Sequence, residues 1–258
     1  MRKRILKTFL GVLLAFGPGP LLNAEGEEKA SPAKTPEALY FQGTVGQKYE
    51  WHKSAKADGI TIYWCRVGDS PVIAFRGEGI VDGPIEKVSS VIVDTTRATE
   101  WVDSLVSSKV LRPVSPMEFI EYDHVGIPFP FTPLMSDRDF VSKATLAADP
   151  KTHGISVTYE SVDDPSMPPL KKYVRGVMWC EFKMTPMSFP GQTYVEAEIH
   201  CDPKGSIAKW LVNFFQESWP QTTFNNLRHQ VQKPDIQVLP VIESLLPKPG
   251  VKMAKSAR

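Results

Sequence analysis

The sequence predicts an α+β protein in which an antiparallel sheet packs against a long C-terminal helix. Strand-like segments of alternating apolar and polar residues are grouped in the second half of the chain, and Thr193–His200 is the clearest of them. After a turn at 202–205, apolar residues recur at the spacing of one helix face, at Ile207, Trp210, Leu211, Phe214 and Phe215. Because helices lie outside the group of strands, the sheet is expected to be antiparallel.

Each element is predicted from local signals. Residues 49–57 are expected to form a short helix, and 60–67 with 72–81 a hairpin about the turn at 68–71. Pro84 near a first turn predicts a helix over 84–93, and Asp94 is a cap for a second short helix that ends near Trp101. The C-terminal helix is expected over 206–231, with a bend at Pro220. Strands are expected at 109–113, 117–125, 139–147, 154–162, 173–184 and 192–201.

The N-terminus has the pattern of a secretory signal peptide over residues 1–24. A basic start is followed by the apolar run 9–16 and by Ala24, a small residue suited to cleavage. An uncleaved membrane anchor is the alternative, but the run is shorter than the roughly 20 residues that a spanning helix needs. Residues 25–46 are expected to be a flexible linker, 47–232 one folded domain and 233–258 a C-terminal extension. We therefore expect a periplasmic or secreted protein.

Charge and cysteine content exclude several classes of function. The net charge is +1 and no basic stripe is present, so a nucleic-acid partner is not expected. The three cysteines, Cys65, Cys180 and Cys201, lack the CxxC spacing of a metal site. Buried free thiols are favoured over a disulfide, although export would permit one. No GxSxG, HExxH, P-loop or GxGxxG pattern occurs, so we expect no catalytic residues, no metal and no cofactor.

Five short motifs, in order along the chain, resemble one known family. They are 58–63, 94–101, Asp137-Arg138-Asp139-Phe140-Val141, Tyr173-Val174-Arg175-Gly176 and Asp202-Pro203-Lys204-Gly205. Together they are similar to a bacterial-type START (steroidogenic acute regulatory protein-related lipid transfer) domain of the helix-grip, Bet v 1-like superfamily, over about residues 47–232. The resemblance implies a curved antiparallel sheet around the C-terminal helix, with one lipid in an internal tunnel between them.

The resemblance also implies what the protein binds. Family members mostly carry sterols, phospholipids or sphingolipids, so the expected partner is a lipid or another hydrophobic small molecule, with transient membrane contact by a monomer. Alternation along the strands then predicts the walls of the tunnel. Residues expected to contact the ligand are Phe140, Ser142 and Ala144, Met178 and Phe182, Ala197 and Ile199, and Ile207, Leu211, Phe214 and Phe215 from the helix. For each of these residues, plain core packing is the alternative.

One acidic residue stands out among the candidates. Asp123 falls where some family members carry a buried acid, but Ala144 stands where their arginine partner is expected, so the interior ion pair is incomplete. An unpaired buried carboxyl tends to be neutral. Asp123 is therefore interpreted either as a protonated hydrogen-bond donor to the ligand or as a solvated residue at the tunnel mouth.

The apolar loop at 126–135 is the second candidate for a functional role. It contains three prolines and several apolar residues, among them Phe129 and Phe131, which is unusual for a surface loop. The resemblance implies that this loop is a lid that closes the tunnel against the helix. Packing onto the core is the alternative. Two rival functions stay open: an enzyme of the cyclase or hydrolase type, which would use Asp123, Glu121 and His124, and an interaction protein with a filled core.

Overall fold

The computed structural model describes residues 50–70, 72–127, 135–207, 212 and 216–246. All of them belong to one compact unit that begins at Pro36. In the described part of the chain, ten strands form a single sheet and helices lie before and after the main run of strands, so the predicted α+β class is confirmed. No helix within these ranges is long and apolar enough to cross a membrane.

The strands are β1 (His52–Ala57), β2 (Ile60–Cys65), β3 (Ala74–Asp82), β4 (Leu105–Ser115), β5 (Glu118–Val125), β6 (Arg138–Asp149), β7 (Gly154–Ser161), β8 (Val174–Arg175), β9 (Val177–Pro186) and β10 (Gln192–Asp202). They pair in the order β1-β2-β3-β10-β9-β7-β6-β5-β4, with each neighbour antiparallel. The short strand β8 pairs in parallel with the first residues of β6.

The first predicted element was wrong, because residues 52–57 form an edge strand and not a helix. Ala57 pairs with Ile60 across the two-residue turn Asp58-Gly59. Both turn residues have positive φ, 52° and 73°, which is the geometry of the hairpin turn that Asp-Gly favours. The turn chemistry therefore decides the structure of the preceding segment.

Among the described residues, three helices and one 3-10 turn pack on the sheet or on one another. Helix α1 (Ile85–Val93) follows Pro84, and a 3-10 turn (Ala98–Glu100) replaces the second predicted short helix. Helix α2 (Trp219–Val231) forms the second half of the predicted C-terminal helix, and Pro220 lies in its first turn. Gln216 and Glu217 are helical but Ser218 is not, so the chain is interrupted just before the proline, which has no N–H to continue the helical hydrogen bonds.

The docking of α2 on β3 depends on two glycines. A Cβ atom at Gly77 would lie 2.9 Å from the Pro220 Cβ and 3.0 Å from the Phe224 ring, and one at Gly79 would lie 3.1 Å from the same ring. The fully buried Phe224 side chain therefore fits only because this stretch of β3 has no side chains on its inner face. Arg228 ties the other side of the helix to the sheet through the carbonyls of Ile80 and Asp58.

The chain after α2 packs against α1 and the main core. Helix α3 (Pro240–Leu245) begins next to α1, and the backbone N–H of Leu239 donates to the Ser90 hydroxyl at 3.0 Å. Ile242 is fully buried in the main core. Residues 233–246 of the predicted extension are therefore part of the packed structure.

A cavity between the sheet and the C-terminal helix

A cavity of about 400 Å³ lies between the inner face of the sheet and the chain that leads into α2. Its floor is formed by the adjoining ends of β5, β6, β9 and β10. The 3-10 turn with Trp101 and Val102 closes one side, and Gln216, Trp219 and Thr223 close the other. Most of these side chains are apolar, and a few polar groups interrupt the wall, which is the composition of a small-molecule site.

The structure places the predicted ligand-contacting residues in three groups. Asp123, Phe140, Met178, Phe182, Ile199 and Ile207 line the cavity. Ser142, Ala144 and Ala197 are buried away from the cavity wall. Phe129, Phe131, Leu211, Phe214 and Phe215 lie outside the described residues.

The three residues of the second group lie on the predicted face of their strands, but further along the strands than the cavity extends. Ala197 pairs with Phe182 and Gly77, and Ala144 pairs with Phe119 and Tyr159, so both face the packed part of the interior. Ala144 is also not opposite Asp123, whose partner on β6 is Phe140. An arginine at position 144 would thus lie two residue pairs beyond Glu121, away from the acid that it was expected to neutralise.

Two of the predicted motifs meet at the cavity floor and hold Phe140 in place. Arg175 makes a bidentate ion pair with the fully buried Asp139, with both contacts at 3.0 Å. The backbone N–H of Gly176 donates to the Asp139 carbonyl at 2.9 Å. A Cβ atom at Gly176 would lie 2.3 Å from the Phe140 ring, so glycine is required for the ring to lie against this backbone.

The most polar part of the cavity wall is a pair of carboxyl groups on β5. Glu121 and Asp123 are separated by one residue, so their side chains point to the same face of the sheet, and both line the cavity. They form a side-chain hydrogen bond with each other, and Ser108 of the neighbouring strand β4 donates to Asp123. Asp123 keeps partial exposure at the cavity surface, whereas Glu121 is buried behind it.

The environment shifts both carboxyl groups toward the neutral form. Burial raises the pKa of Glu121 well above its ordinary value, and the nearby Asp123 charge adds to the shift. Burial also raises the pKa of Asp123 to about 6, although the hydrogen bonds from Ser108 and Glu121 oppose this shift. Burial thus shifts both carboxyl groups toward the protonated form, and the hydrogen bond between them requires that one of the two carries a proton.

Arg138 lies at the mouth of the cavity and joins two segments of the chain. Its guanidinium donates to the carbonyl oxygens of Pro203 at 3.1 Å and Lys204 at 3.2 Å, and also to the carbonyl of Ser136. Ser136 follows the loop 126–135, and 203–204 belong to the turn that precedes the C-terminal helix. One buried side chain thus connects both segments beside the opening.

The described ends of loop 126–135 line the cavity at Gly126, Ile127 and Met135, while its centre, 128–134, lies outside the described residues. Asp137 holds the first of these ends in place. Its carboxylate accepts hydrogen bonds from the Ile127 backbone N–H at 3.0 Å and from His124 Nε2 at 2.8 Å. Burial alone would raise the pKa of Asp137, but these hydrogen bonds outweigh it and lower the pKa below its ordinary value.

Sequence reasoning named Glu121 only as a candidate acid of the rival enzyme, and missed Ser108, Trp101 and Gln216 as parts of the cavity wall. Glu121 belongs with the ligand-contacting residues, because it shares the alternation of Asp123 on one strand. Ser108 could not, because bulges in the pairing of β4 with β5 shift its register. Trp101 and Gln216 reach the wall from irregular or interrupted helical segments, which have no periodic signal.

The cavity also contains two thiols that are poor nucleophiles. Cys180 and Cys201 line the wall and are unpaired. Burial raises the pKa of Cys180 well above its ordinary value and that of Cys201 to about 12, so both remain protonated. In the described ranges, no three His, Cys, Asp or Glu side chains are grouped in a way that could hold a metal ion.

Sequence comparison relates the chain to lipid transfer domains. The sequence model of the START domain matches residues 37–234. StAR-related lipid transfer protein 5 of Mus musculus is 26% identical over 187 residues, covering 71% of this chain and 86% of that protein. An uncharacterised protein of Pseudomonas aeruginosa is 24% identical over 185 residues, covering 71% of this chain and 88% of that protein.

Solved structures agree with this relation. The STAR-related lipid transfer protein fragment of Xanthomonas axonopodis has a TM-score of 0.63 at 27% identity, covering 71% of this chain and 99% of the fragment. Human StAR-related lipid transfer protein 5 has a TM-score of 0.65 at 22% identity, covering 74% of this chain and 88% of that chain, and this likeness concerns the fold alone. The predicted helix-grip arrangement of a curved sheet and a C-terminal helix is confirmed.

Proposed function

The chain belongs to the START domain family, and from this premise we propose that it binds one hydrophobic molecule non-covalently in the cavity and transfers it between membranes without catalysing a reaction. The observation that carries the proposal is the cavity itself, which lies between sheet and helix and has mostly apolar walls. A filled interior would have favoured an interaction protein instead. The relatives' names point the same way, since several are lipid transfer proteins.

Removal of apolar surface from water is the source of affinity in this proposal. A volume of about 400 Å³ falls within the roughly 300–1,000 Å³ of small-molecule sites. Each buried methylene contributes about 0.8 kcal/mol, so a short acyl chain or a small ring system would bind with few polar contacts. The polar groups on the wall would then orient the ligand.

Transfer requires that the mouth opens against a membrane. We propose that loop 126–135 and the chain leading into α2 open the cavity during a transient membrane contact. The loop sequence is strongly apolar, and Val106, which lies against Gly126 beside the mouth, is 55% exposed. Vesicle-to-vesicle transfer of a fluorescent lipid tests this step, and Val106→Asp is expected to slow transfer while leaving binding intact.

We further propose that the protein acts as a monomer in the periplasm or outside the cell. The signal-like pattern of residues 1–24 supports export, since it carries basic residues, an apolar run and a cleavage position in order. Cell fractionation of the full chain and of a chain lacking residues 1–24 tests this. Retention of both in the cytoplasm would contradict export.

Filling the cavity provides the direct test of ligand binding. Ala98 lines the cavity, so Ala98→Trp is expected to occupy part of it and to weaken binding of the neutral dye Nile red at least several-fold. Ala148 is exposed on the outer end of β6, so Ala148→Trp makes the same chemical change away from the cavity and serves as the control. Mass spectrometry of the gently purified protein identifies any lipid that it retains.

Two outcomes would contradict the binding proposal. One is that wild-type protein binds neither Nile red nor any co-purified lipid. The other is that Ala98→Trp and Ala148→Trp bind the dye equally while both remain folded by thermal melting. Either result would favour the alternative function, an interaction protein with a filled core.

An enzyme is the second candidate function, and the carboxyl pair is the observation that favours it. Carboxyl groups with raised pKa inside a cavity are common at sites of general acid–base catalysis. Turnover of a bound ligand that is abolished by Asp123→Asn would support an enzyme. A ligand recovered chemically unchanged after prolonged incubation with wild-type protein would support the carrier.

A further inference from the structure

The carboxyl pair of Glu121 and Asp123 has no cationic partner within the described part of the cavity wall. Three acidic side chains line it, Asp103, Glu121 and Asp123, against one basic side chain, Arg138. The Arg138 guanidinium donates to three backbone carbonyls, and no ion pair with either carboxyl group is formed within the described residues. Acidic side chains therefore outnumber basic ones on the described wall.

The groups that face the pair from neighbouring elements do not remove this excess. Ser108 of β4 supplies one hydroxyl to Asp123. Tyr159 of β7 donates its hydroxyl to the Ile92 carbonyl at 3.0 Å and is not available as a donor to the pair. The remaining titratable neighbours on the wall are the thiols of Cys180 and Cys201, which stay neutral.

The shared proton leaves about one negative charge on the pair. Two carboxyl groups in hydrogen-bond contact cannot both ionise cheaply, so one keeps its proton while the other is charged. A buried charge without an opposite charge is costly, and a ligand that supplies the opposite charge recovers that cost. The affinity of a ligand therefore depends on the charge of the group that it places against β5.

Two residues of the cavity wall have a buried polar atom without a partner among the described residues, Gln216 and Trp101. The Gln216 side chain donates its amide to the Cys201 carbonyl at 2.6 Å, while its Oε1 atom is buried and has no partner among the described residues. This oxygen can accept a hydrogen bond from a ligand. Trp101, which is 6% exposed, also lines the wall, and its indole Nε1 is a buried donor without a partner among the described residues.

We propose that the cavity selects an amphiphile whose buried end carries a protonated primary amine, with Asp123 as its ion-pair partner and Glu121 as the group that shares the proton. This inference rests on the proposed function, because it names the head group of the molecule that the cavity binds. A hydroxyl group would satisfy one hydrogen bond but leave the charge on the pair uncompensated. A carboxylate would add a like charge and is excluded by repulsion.

Three probes of equal chain length test the head group: decylamine, decan-1-ol and decanoate, each measured by displacement of Nile red at neutral pH. Wild-type protein is expected to bind decylamine at least about tenfold more tightly than decan-1-ol, with decanoate the weakest, as charge-assisted hydrogen bonds predict. The preference for decylamine is expected to fall when the pH is lowered through 6, because Asp123 then takes up a proton. The amine itself stays charged throughout this range.

Matched substitutions assign the preference to the pair. Glu121→Gln with Asp123→Asn removes both carboxyl groups while keeping their shape, and is expected to bring decylamine to about the affinity of decan-1-ol. Glu118→Gln is the control, since Glu118 is on the same strand but pairs with Lys143 outside the cavity. This control is expected to keep the wild-type preference.

The outcomes separate this inference from the proposed function. Equal binding of all three probes by wild-type protein, or an amine preference that survives in the double variant, would overturn the inference while leaving hydrophobic binding in place. Failure of Nile red and of all three probes to bind would overturn the proposed function and, with it, the inference. Nile red binding by the double variant confirms that the cavity is still formed.

Discussion

The inner face of the sheet is packed at one end of the strands and hollow at the other. Along β10, Val195 belongs to the core and Ile199 borders the cavity; along β6, Leu146 belongs to the core and Phe140 borders the cavity. The packed end is covered by α1 and by the second half of α2, and the hollow end by the 3-10 turn and the start of α2. The same alternation of side chains thus builds a core or a binding site, depending on which helix covers it.

The largest expected effect contrasts one side chain from each end. Phe224→Ala at the packed end is expected to lower the free energy of unfolding by about 3–5 kcal/mol, because the fully buried ring leaves a void. Met178→Ala at the hollow end is expected to cost about 1 kcal/mol, because this half-buried side chain already faces open space. Urea unfolding measures both. Equal costs would show that the cavity is collapsed in solution.

Burial of the carboxyl pair at the hollow end is expected to lower the free energy of unfolding near neutral pH. Since burial raises the pKa of Glu121 well above its ordinary value and that of Asp123 to about 6, the folded state holds more protons than the unfolded state above about pH 4. The free energy of unfolding therefore falls as the pH rises from about 4 toward 8.

Replacing both groups, Glu121→Gln with Asp123→Asn, is expected to flatten this dependence and to stabilise the protein by about 1–3 kcal/mol near neutral pH, since one pKa unit corresponds to about 1.4 kcal/mol. Urea unfolding at several pH values measures the slope, and Glu118→Gln on the same strand serves as the control. An unchanged slope in the double variant would show that the pair is hydrated and ionised in solution.

A side chain added at a glycine of β3 is expected to have an intermediate effect on stability, at the packed end. Gly77→Ala is expected to cost about 1–3 kcal/mol, because the new methyl group would lie 2.9 Å from the Pro220 Cβ. Combined with Phe224→Ala, the same change is expected to cost less, since the ring that opposes the methyl is gone. Strictly additive costs in this double-mutant cycle would contradict the proposed contact.

The smallest expected effect lies at the mouth of the hollow end. Asp137→Asn keeps an acceptor for the Ile127 N–H but loses the carboxylate charge, and is expected to cost less than about 1 kcal/mol. Because the pKa of Asp137 is lowered, its contribution is present above the ordinary carboxyl pKa and lost as the pH falls below it. Nile red is expected to dissociate faster by stopped-flow fluorescence.

Asp149→Asn is the matched control for that change. Asp149 also has a lowered pKa, from hydrogen bonds with Lys151 and Thr152, but it is the last residue of β6, at the packed end. Its replacement is expected to leave the dissociation rate of Nile red unchanged. If both variants release the dye equally fast, Asp137 has no special role at the mouth.

The strands and their inward faces could be predicted from the sequence because side-chain alternation is a local property. Phe182 and Ile199 were assigned to the cavity in this way, and both border it. Ala144 and Ala197 follow the same alternation but lie in the packed end, since the position of the covering helices depends on contacts between distant segments. Residues 52–57 were wrongly predicted as a helix because the Asp58-Gly59 turn signal was not recognised.

The three hydrogen bonds of Arg138 have a mechanical consequence. A single guanidinium holds Ser136, beyond the apolar loop, and 203–204, ahead of the C-terminal helix. Both segments therefore depend on the same side chain. Loss of the guanidinium would remove the hydrogen bonds at Ser136 and at 203–204 together, although these segments are 67 to 68 residues apart in the chain.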